Sequence, residues 1–130
     1  YLIKAAGYDS NLLLNVGPMP NGKIQKEHIK SLKEIGDWVK INGETIYGTS
    51  RGPIDPTDEI ASTQKDNTIY IHLLNNRKTY FIERYIPKIK KISYYHSGKK
   101  VKYQKTKSGL IINVDDSELD EIDTIIELKI

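Results

Sequence analysis

The sequence has no cysteine and only one methionine, one tryptophan and one phenylalanine. Without cysteine there is no disulfide framework, thiolate-ligated zinc, haem-attachment motif or thiol nucleophile, and the redox compartment stays open. No apolar run approaches the roughly 18 residues of a membrane-spanning helix, and no basic-then-apolar leader opens the chain. Gly-x-Gly-x-x-Gly and Gly-Lys-Ser/Thr loops are also missing, so Gly17-Pro18 and Asn21-Gly22 read as a strand-to-helix turn and not as a phosphate cradle. An initiator methionine is absent at Tyr1, which predicts that something has been cut away and that any export signal lies upstream. At 130 residues the chain fits one domain, or a small domain with an appendage. A complete (β/α) barrel of about 250 residues is excluded.

What is present is charge, and it is segregated. A net of +3 conceals 11 basic and 1 acidic side chains between Asn76 and Ser108, then 1 basic and 7 acidic between Asn113 and Ile130. Such a split marks either a nucleic-acid or membrane patch followed by an acidic tail, or the solvated outer faces of one sheet. The basic stretch interleaves Tyr80, Phe81, Tyr85, Tyr94, Tyr95 and Tyr103 with its lysines, the composition of a stacking platform for single strands. Alternation over Lys100–Lys105, however, places Val101 and Tyr103 on one face and lysines on the other. Stacking and phosphate contacts then fall on opposite sides, and the reading is no nucleic-acid and no membrane partner. The acidic run Asp115, Asp116, Glu118, Asp120, Glu121 and Asp123 offers oxygen ligands but lacks the glycine and terminal bidentate glutamate of a calcium loop, so it reads as a solvated turn. His28, His72 and His96 have no ligand spacing and read as surface or half-buried structural residues. Ser31 and Ser50 have no neighbouring base motif for nucleophilic work. The expectation is no metal and no cofactor.

Hydrophobic period divides the chain. Leu12-Leu13-Leu14-Asn15-Val16, ended by Gly17-Pro18, is the near-continuous apolar run of a strand covered on both faces in a parallel sheet. After the Pro20-Asn21-Gly22 turn, Ile29, Leu32, Ile35 and Val39 recur at helical spacing until Asn42-Gly43, where a left-handed cap is expected. Trp38, one turn before that end, reads as a packing residue more than a sugar platform. Residues 1–7 look like the last turns of a helix closed by Gly7. Beyond Thr49 the period falls to two, with strands expected at Glu59–Gln64, Thr68–Leu74, Thr79–Ile82, Ile89–Tyr95, Lys100–Lys105, Leu110–Val114 and Ile122–Leu128. About seven short antiparallel strands make a small sandwich. The expected fold is therefore an α/β fragment, the last strand and helix of a (β/α) barrel, followed by an all-β antiparallel sandwich. Its expected divisions are 1–49 for the barrel end, 50–57 for a linker carrying Gly52-Pro53 and Asp55-Pro56, and 58–130 for the sandwich. One strand and one helix cannot close a parallel sheet, so upstream sequence or another chain is expected to complete the first part.

The segment Asn11-Leu-Leu-Leu-Asn-Val-Gly-Pro-Met-Pro-Asn-Gly-Lys-Ile24 resembles the signature of α-L-fucosidases of glycoside hydrolase family 29. Leu32-Lys-Glu-Ile-Gly-Asp-Trp-Val39 and Asn42-Gly-Glu-Thr-Ile-Tyr-Gly-Thr49 are similar to the final barrel helix of that family and its exit. The resemblance implies a C-terminal piece of a retaining exo-acting enzyme that releases terminal L-fucose from glycans, with an Asp nucleophile and a carboxylic acid/base upstream. It implies no catalytic residue in this chain, because neither Glu44 nor the distal acids sit at the catalytic end of a barrel strand. Since barrel sites form at strand C-termini, Asn15, Gly17 and Pro18 become the expected pocket wall, with Met19 and Arg51 at the rim. The implied partners are a fucosylated glycan and the missing N-terminal barrel portion, and the implied setting is a secreted, periplasmic or lysosomal-type compartment. A rival expectation is a sandwich that binds carbohydrate without catalysis, through Tyr80, Tyr94, Tyr95 and Tyr103.

Overall fold

The computed structural model describes residues 1–86 and 88–130. Two helices come first, α1 (Leu2–Gly7) and α2 (Lys26–Asn42), and a short 3-10 turn at Gly43–Thr45 follows the second. Among the described residues eight strands follow: β1 (Ser50–Arg51), β2 (Ile60–Lys65), β3 (Thr68–Leu73), β4 (Thr79–Ile82), β5 (Lys91–Tyr94), β6 (Lys102–Lys105), β7 (Leu110–Asn113) and β8 (Thr124–Lys129). They form a five-stranded sheet in the order β1-β2-β3-β8-β5 and a three-stranded sheet in the order β4-β7-β6, antiparallel throughout.

Period-two alternation explains how the two sheets meet. In β3 the odd positions Ile69, Ile71 and Leu73 join Ile126 and Leu128 of β8 in one buried cluster. Tyr80 and Ile82 of β4, with Leu110 and Ile112 of β7, close that cluster from the other sheet. The β2–β3 hairpin turns on Asp66-Asn67, with Lys65 opposite Thr68. Asp66 takes a left-handed φ of 51°, which aspartate tolerates better than most side chains.

The even positions of β3 are buried as well: Tyr70 and His72 point away from the sandwich core and are still sealed from solvent. The N-terminal segment covers them. α1 packs on β1 and β2, Gly7 lies against Pro56, and Tyr8 donates its hydroxyl to the Pro56 carbonyl at 3.0 Å. Thr63 of β2 donates to the Thr45 carbonyl at 2.6 Å, and Thr45 donates to the Asn42 carbonyl at 2.8 Å. The five-stranded sheet is thus a middle layer, apolar toward the sandwich and largely polar toward the helices.

The antiparallel sandwich expected from the alternation is present, with trimmed strand ends. Leu12–Val16 is different: it is an extended segment and not a strand, and Leu13 is 91% exposed. A strand exists by virtue of the neighbour that takes its hydrogen bonds, and among the described residues none lies beside this run. The barrel unit expected from residues 1–49 therefore appears as α2 and an unpaired extended segment. α2 likewise leaves Ile29, Leu32 and Ile35 exposed, so its apolar stripe is left uncovered among the described residues. The expected left-handed cap at Asn42-Gly43 is also absent: Gly43 stays right-handed with φ −57° and leads into the 3-10 turn. Ile122, the expected start of the last strand, lies outside β8 and is exposed, while Ile125, Ile126 and Leu128 are all buried.

Two glycines are fixed by close approach. A Cβ on Gly109 would stand 1.9 Å from the Ile82 carbonyl oxygen, and one on Gly52 would stand 2.3 Å from Ser62 Oγ. In both places the obstacle includes rigid backbone. Gly109→Ala should therefore destabilise the protein by at least about 2 kcal/mol through overpacking against β4, read as a lowered urea midpoint. An unchanged midpoint would contradict this packing.

Candidate functional site

The expected pocket wall lies on the link between α1 and α2. After the exposed leucines the chain reaches Asn15, whose side-chain oxygen accepts from the Val16 amide at 2.9 Å. This local bond turns the amide back onto its own backbone and prepares the bend at Gly17-Pro18. Met19 and Lys23 close the following loop by a 2.9 Å amide-to-carbonyl bond, Gly22 donates to the Met19 carbonyl at 2.8 Å, and Asn21 accepts from the Lys23 amide at 3.0 Å. Gly22 holds φ +77°, the left-handed position that such a turn reserves for glycine. Asn15, Gly17 and Pro18 are exposed and Met19 is half-buried. This is a self-supporting polar turn at the end of an apolar run, able to offer an amide, an open backbone and one thioether to whatever lies beside it.

Arg51 sits elsewhere, in β1. Its guanidinium pairs with Asp55 at 2.6 Å, and Tyr8 and Asp9, at the start of the same link, are the other groups whose charge acts on it. The pair raises the guanidinium and holds the Asp55 carboxyl below its ordinary range. Four of the five expected wall residues therefore share one turn, while Arg51 belongs to the base where the link leaves α1.

A buried dyad went unread in the sequence. His72 Nδ1 and Asp123 Oδ2 lie 2.7 Å apart with both side chains wholly buried. The His72 ring stands 6.5 Å from that of Trp38, tilted by 44°, so the packing role expected for Trp38 is filled by a histidine on the second face of the sheet. His72 was expected at or near the surface and Asp123 in a solvated turn; the register that sets His72 opposite Ile125 carries both inward. Burial pushes the Asp123 carboxyl above its ordinary 3.8, and the hydrogen bond and charge of His72 pull the other way without cancelling that effect. Beside the dyad, Tyr95 donates to Glu44 at 3.3 Å and stacks edge-on against Tyr70 at 5.8 Å. Burial first, and the Glu44 charge second, push the Tyr70 phenol up to about 12. No sequence spacing flags this cluster; only pairing β3 with β8 does.

The other candidates separate cleanly. Tyr80 and Tyr94 are buried and Tyr95 and Tyr103 half-buried, so the four tyrosines expected to make a carbohydrate platform do not form an exposed one. The basic and acidic stretches meet at Lys78–Asp116 (2.7 Å) and Lys99–Glu118 (2.6 Å), which draws part of the segregated charge into surface pairs. Among the described residues, no three His, Asp or Glu side chains gather as a metal site.

Comparison with known proteins gives a consistent set. A family model described as Alpha-L-fucosidase matches residues 1–44. Plasma alpha-L-fucosidase of Pongo abelii is 31% identical over 74 residues, 53% of this chain and 16% of that protein. Alpha-L-fucosidase of Dictyostelium discoideum is 43% identical over 49 residues, 38% of this chain and 11% of that protein. Among solved structures, Thermotoga maritima alpha-fucosidase in complex with a mechanism-based inhibitor superposes with a TM-score of 0.85 at 25% identity, over 98% of this chain and 32% of that one. Alpha-L-fucosidase isoenzyme 1 from Paenibacillus thiaminolyticus gives 0.80 at 27%, again over 98% and 32%. The chain therefore spans about a sixth of the curated relatives and about a third of the solved chains.

The dyad makes a pH prediction whose sign is opposite to that of an ordinary salt-bridged aspartate. The unfolded chain releases the Asp123 proton near 3.8 and the folded chain releases it higher, so between those values the folded state binds more protons. The contribution of this group is then fully present below the unfolded value and is lost as pH rises through the folded one. Urea unfolding from about pH 4 to about pH 7 should show the wild type losing stability relative to Asp123→Asn as pH rises. A difference that moves the other way would refute the assignment.

Proposed function

The chain matches the C-terminal part of α-L-fucosidases, and from that match we propose that it is the C-terminal portion of a retaining exo-α-L-fucosidase acting on terminal L-fucose of glycans. In this reading residues 1–49 end the catalytic barrel, 50–57 connect, and 58–130 form the accessory sandwich. The observation that carries it is the coincidence of three features in the residues matched by the family: an unpaired leucine run, an apolar helix stripe without a cover, and between them a polar turn bearing Asn15. A parallel barrel strand must be paired on both edges and covered on both faces, and Leu12–Val16 carries the side chains for that position. The bend at Gly17-Pro18 then falls at the C-terminal end of the strand, where barrel enzymes keep their sites.

Mechanistically, retaining glycosidases place two carboxyl groups about 5–5.5 Å apart across the anomeric carbon, one as nucleophile and one as acid, then base. This chain supplies neither group. Its part is to wall the pocket: the Asn15 amide, fixed by its bond to the Val16 backbone, can present its remaining N–H groups to a sugar hydroxyl or to a catalytic carboxylate. Gly17 lets the backbone approach closely, Pro18 limits its freedom, and Met19 supplies an adaptable apolar contact. Arg51, paired with Asp55 at the base of the link, takes a supporting place.

The polypeptide that carries these residues together with a barrel should hydrolyse an aryl α-L-fucoside, releasing the α-anomer first, while the 130-residue chain assayed alone should not. Turnover by the 130-residue chain near the rate of the larger protein would sink the proposal, as would an inert larger protein. Asn15→Ala in the larger protein should lower kcat/KM by about tenfold, equivalent to one lost hydrogen bond to substrate or carboxylate.

A further inference from the structure

A groove of about 350 Å³ opens between the connection that follows β1 and the end of β4. Its lining includes Ile54, Asp55, Phe81, Ile82, Glu83 and Arg84. That volume lies within the range of about 300–1000 Å³ typical of small-ligand clefts, which pair apolar walls with a few convergent polar groups. We propose that this groove is a saccharide-binding subsite for a neutral pyranose, separate from the pocket to which Asn15 belongs.

The walls are built before any ligand arrives. Ser62 Oγ accepts from the Ile54 amide and donates to the Ile54 carbonyl, both at 2.9 Å, while the Gly52 amide donates to the Ser62 carbonyl at 3.0 Å. Thr57 finishes that wall: its hydroxyl accepts from the Glu59 and Ile60 amides at 3.1 and 3.2 Å, and its own amide donates to the Ile60 carbonyl at 2.8 Å. On the opposite side, Ile82 is paired with Leu110, and Gly109 lies so close to the Ile82 carbonyl that only glycine fits. A cleft held on both sides loses little entropy on binding.

The chemistry of the groove selects the ligand. Phe81 stands on the outward face of the three-stranded sheet, 51% exposed, in register with Ile111 and through it with Gln104. The exposed ring gives the groove an apolar wall beside its ionised groups. Asp55 is held ionised by Arg51, and among the described residues Glu83 and Arg84 form no ion pair. Arg51 offsets Asp55 and Arg84 offsets Glu83, so the lining carries no net charge to attract an ion of either sign, and its charged groups would be stripped of water without return by a purely apolar ligand. A pyranose satisfies both halves: its C–H face covers the phenyl ring, and its adjacent hydroxyls donate to carboxylates and accept from a guanidinium. Phe81 also lies on the sheet that does not carry the helices, so the α1 and α2 contacts leave it free.

The test is saturation-transfer NMR on the larger, barrel-containing polypeptide with L-fucose, D-galactose and D-glucose, for wild type, Phe81→Ala and Glu83→Gln. At least one sugar should receive saturation at its ring protons, and its affinity should fall roughly tenfold in Phe81→Ala and measurably in Glu83→Gln. Both variants should cleave an aryl α-L-fucoside as the wild type does, because neither residue belongs to the Asn15 pocket. Wild-type binding of every sugar by both variants, or no saturation transfer from the wild type, would overturn the proposal. Failure of the fucosidase reading would show separately, as a wild type that cleaves no fucoside yet still binds sugar through Phe81.

Discussion

Burial of β3 on both faces is the constraint from which the rest of the architecture follows. Every residue from Ile69 to Leu73 is sealed from solvent, although alternation sends Ile69, Ile71 and Leu73 one way and Tyr70 and His72 the other. A two-layer sandwich needs only the first set buried. The second set obliges a further layer, and the residues at hand to make it are α1, the end of α2 and the 3-10 turn. The polar character of that second face then dictates how the layer attaches. Thr63 reaches the Thr45 carbonyl, and the His72–Asp123 dyad is sealed beside Trp38. Leaving one buried partner of such a hydrogen bond without the other costs about 1–3 kcal/mol, more than an exposed ion pair contributes. Attachment of the helices is therefore specific in orientation: a slipped contact would leave buried donors and acceptors without partners.

The same attachment decides what stays uncovered. With the C-terminal end of α2 committed to the sheet, its stripe of Ile29, Leu32 and Ile35 faces outward, as does the leucine run. Scattered apolar residues on a surface call for no explanation, but a helix stripe and an extended leucine run together form a surface that water does not favour. Each buried leucine or isoleucine side chain is worth about 1.5–3 kcal/mol relative to its exposed state, so a cover over these six positions would be strongly favoured. The sandwich face is complete and the opposite face of the helical layer is not.

Period reads well in this sequence and pairing does not. The alternation of Thr68–Leu73 and Leu110–Asn113, and the helical spacing of Ile29, Leu32 and Ile35, are carried by neighbours within a few residues, and the corresponding elements formed where expected. Leu12–Val16 has the composition of a buried strand, yet strand status is conferred by partners that the sequence of the segment cannot contain. His72 and Asp123 are 51 positions apart and become neighbours only through the β3–β8 ladder, so an acid in a charged run and an isolated histidine gave no local sign of burial. Ile122 differs for a smaller reason: β8 begins at Thr124, two residues later than expected, which leaves Ile122 outside the strand, while Ile126 and Leu128 stay in the core and Ile125, opposite His72, is buried on the second face. The turn over residues 15–23 was legible because Gly17-Pro18 and Asn21-Gly22 are local chemistry, while the pairing of Arg51 with Asp55 was not foreseen.

The two ends of the link that carries Asn15 are both tied to the sandwich. α1 is held at Gly7 against Pro56, by the Tyr8 bond to the Pro56 carbonyl and by the Lys4–Asp58 pair; α2 is held at its far end through Thr45 and Thr63. Between those anchors the chain runs out along the leucines, turns at Gly17-Pro18 and returns as a 17-residue helix. The turn is thus the far tip of a hairpin-like path whose base is fixed by buried hydrogen bonds and whose flanks are apolar and bare. Small shifts at a fixed base become larger ones at a distant tip unless the flanks are also packed, so a precisely held turn needs both the sandwich below and a cover beside it. The sandwich thereby sets where this turn stands, and the His72–Asp123 dyad, at the contact between helix and sheet, is one of the buried contacts that fix it.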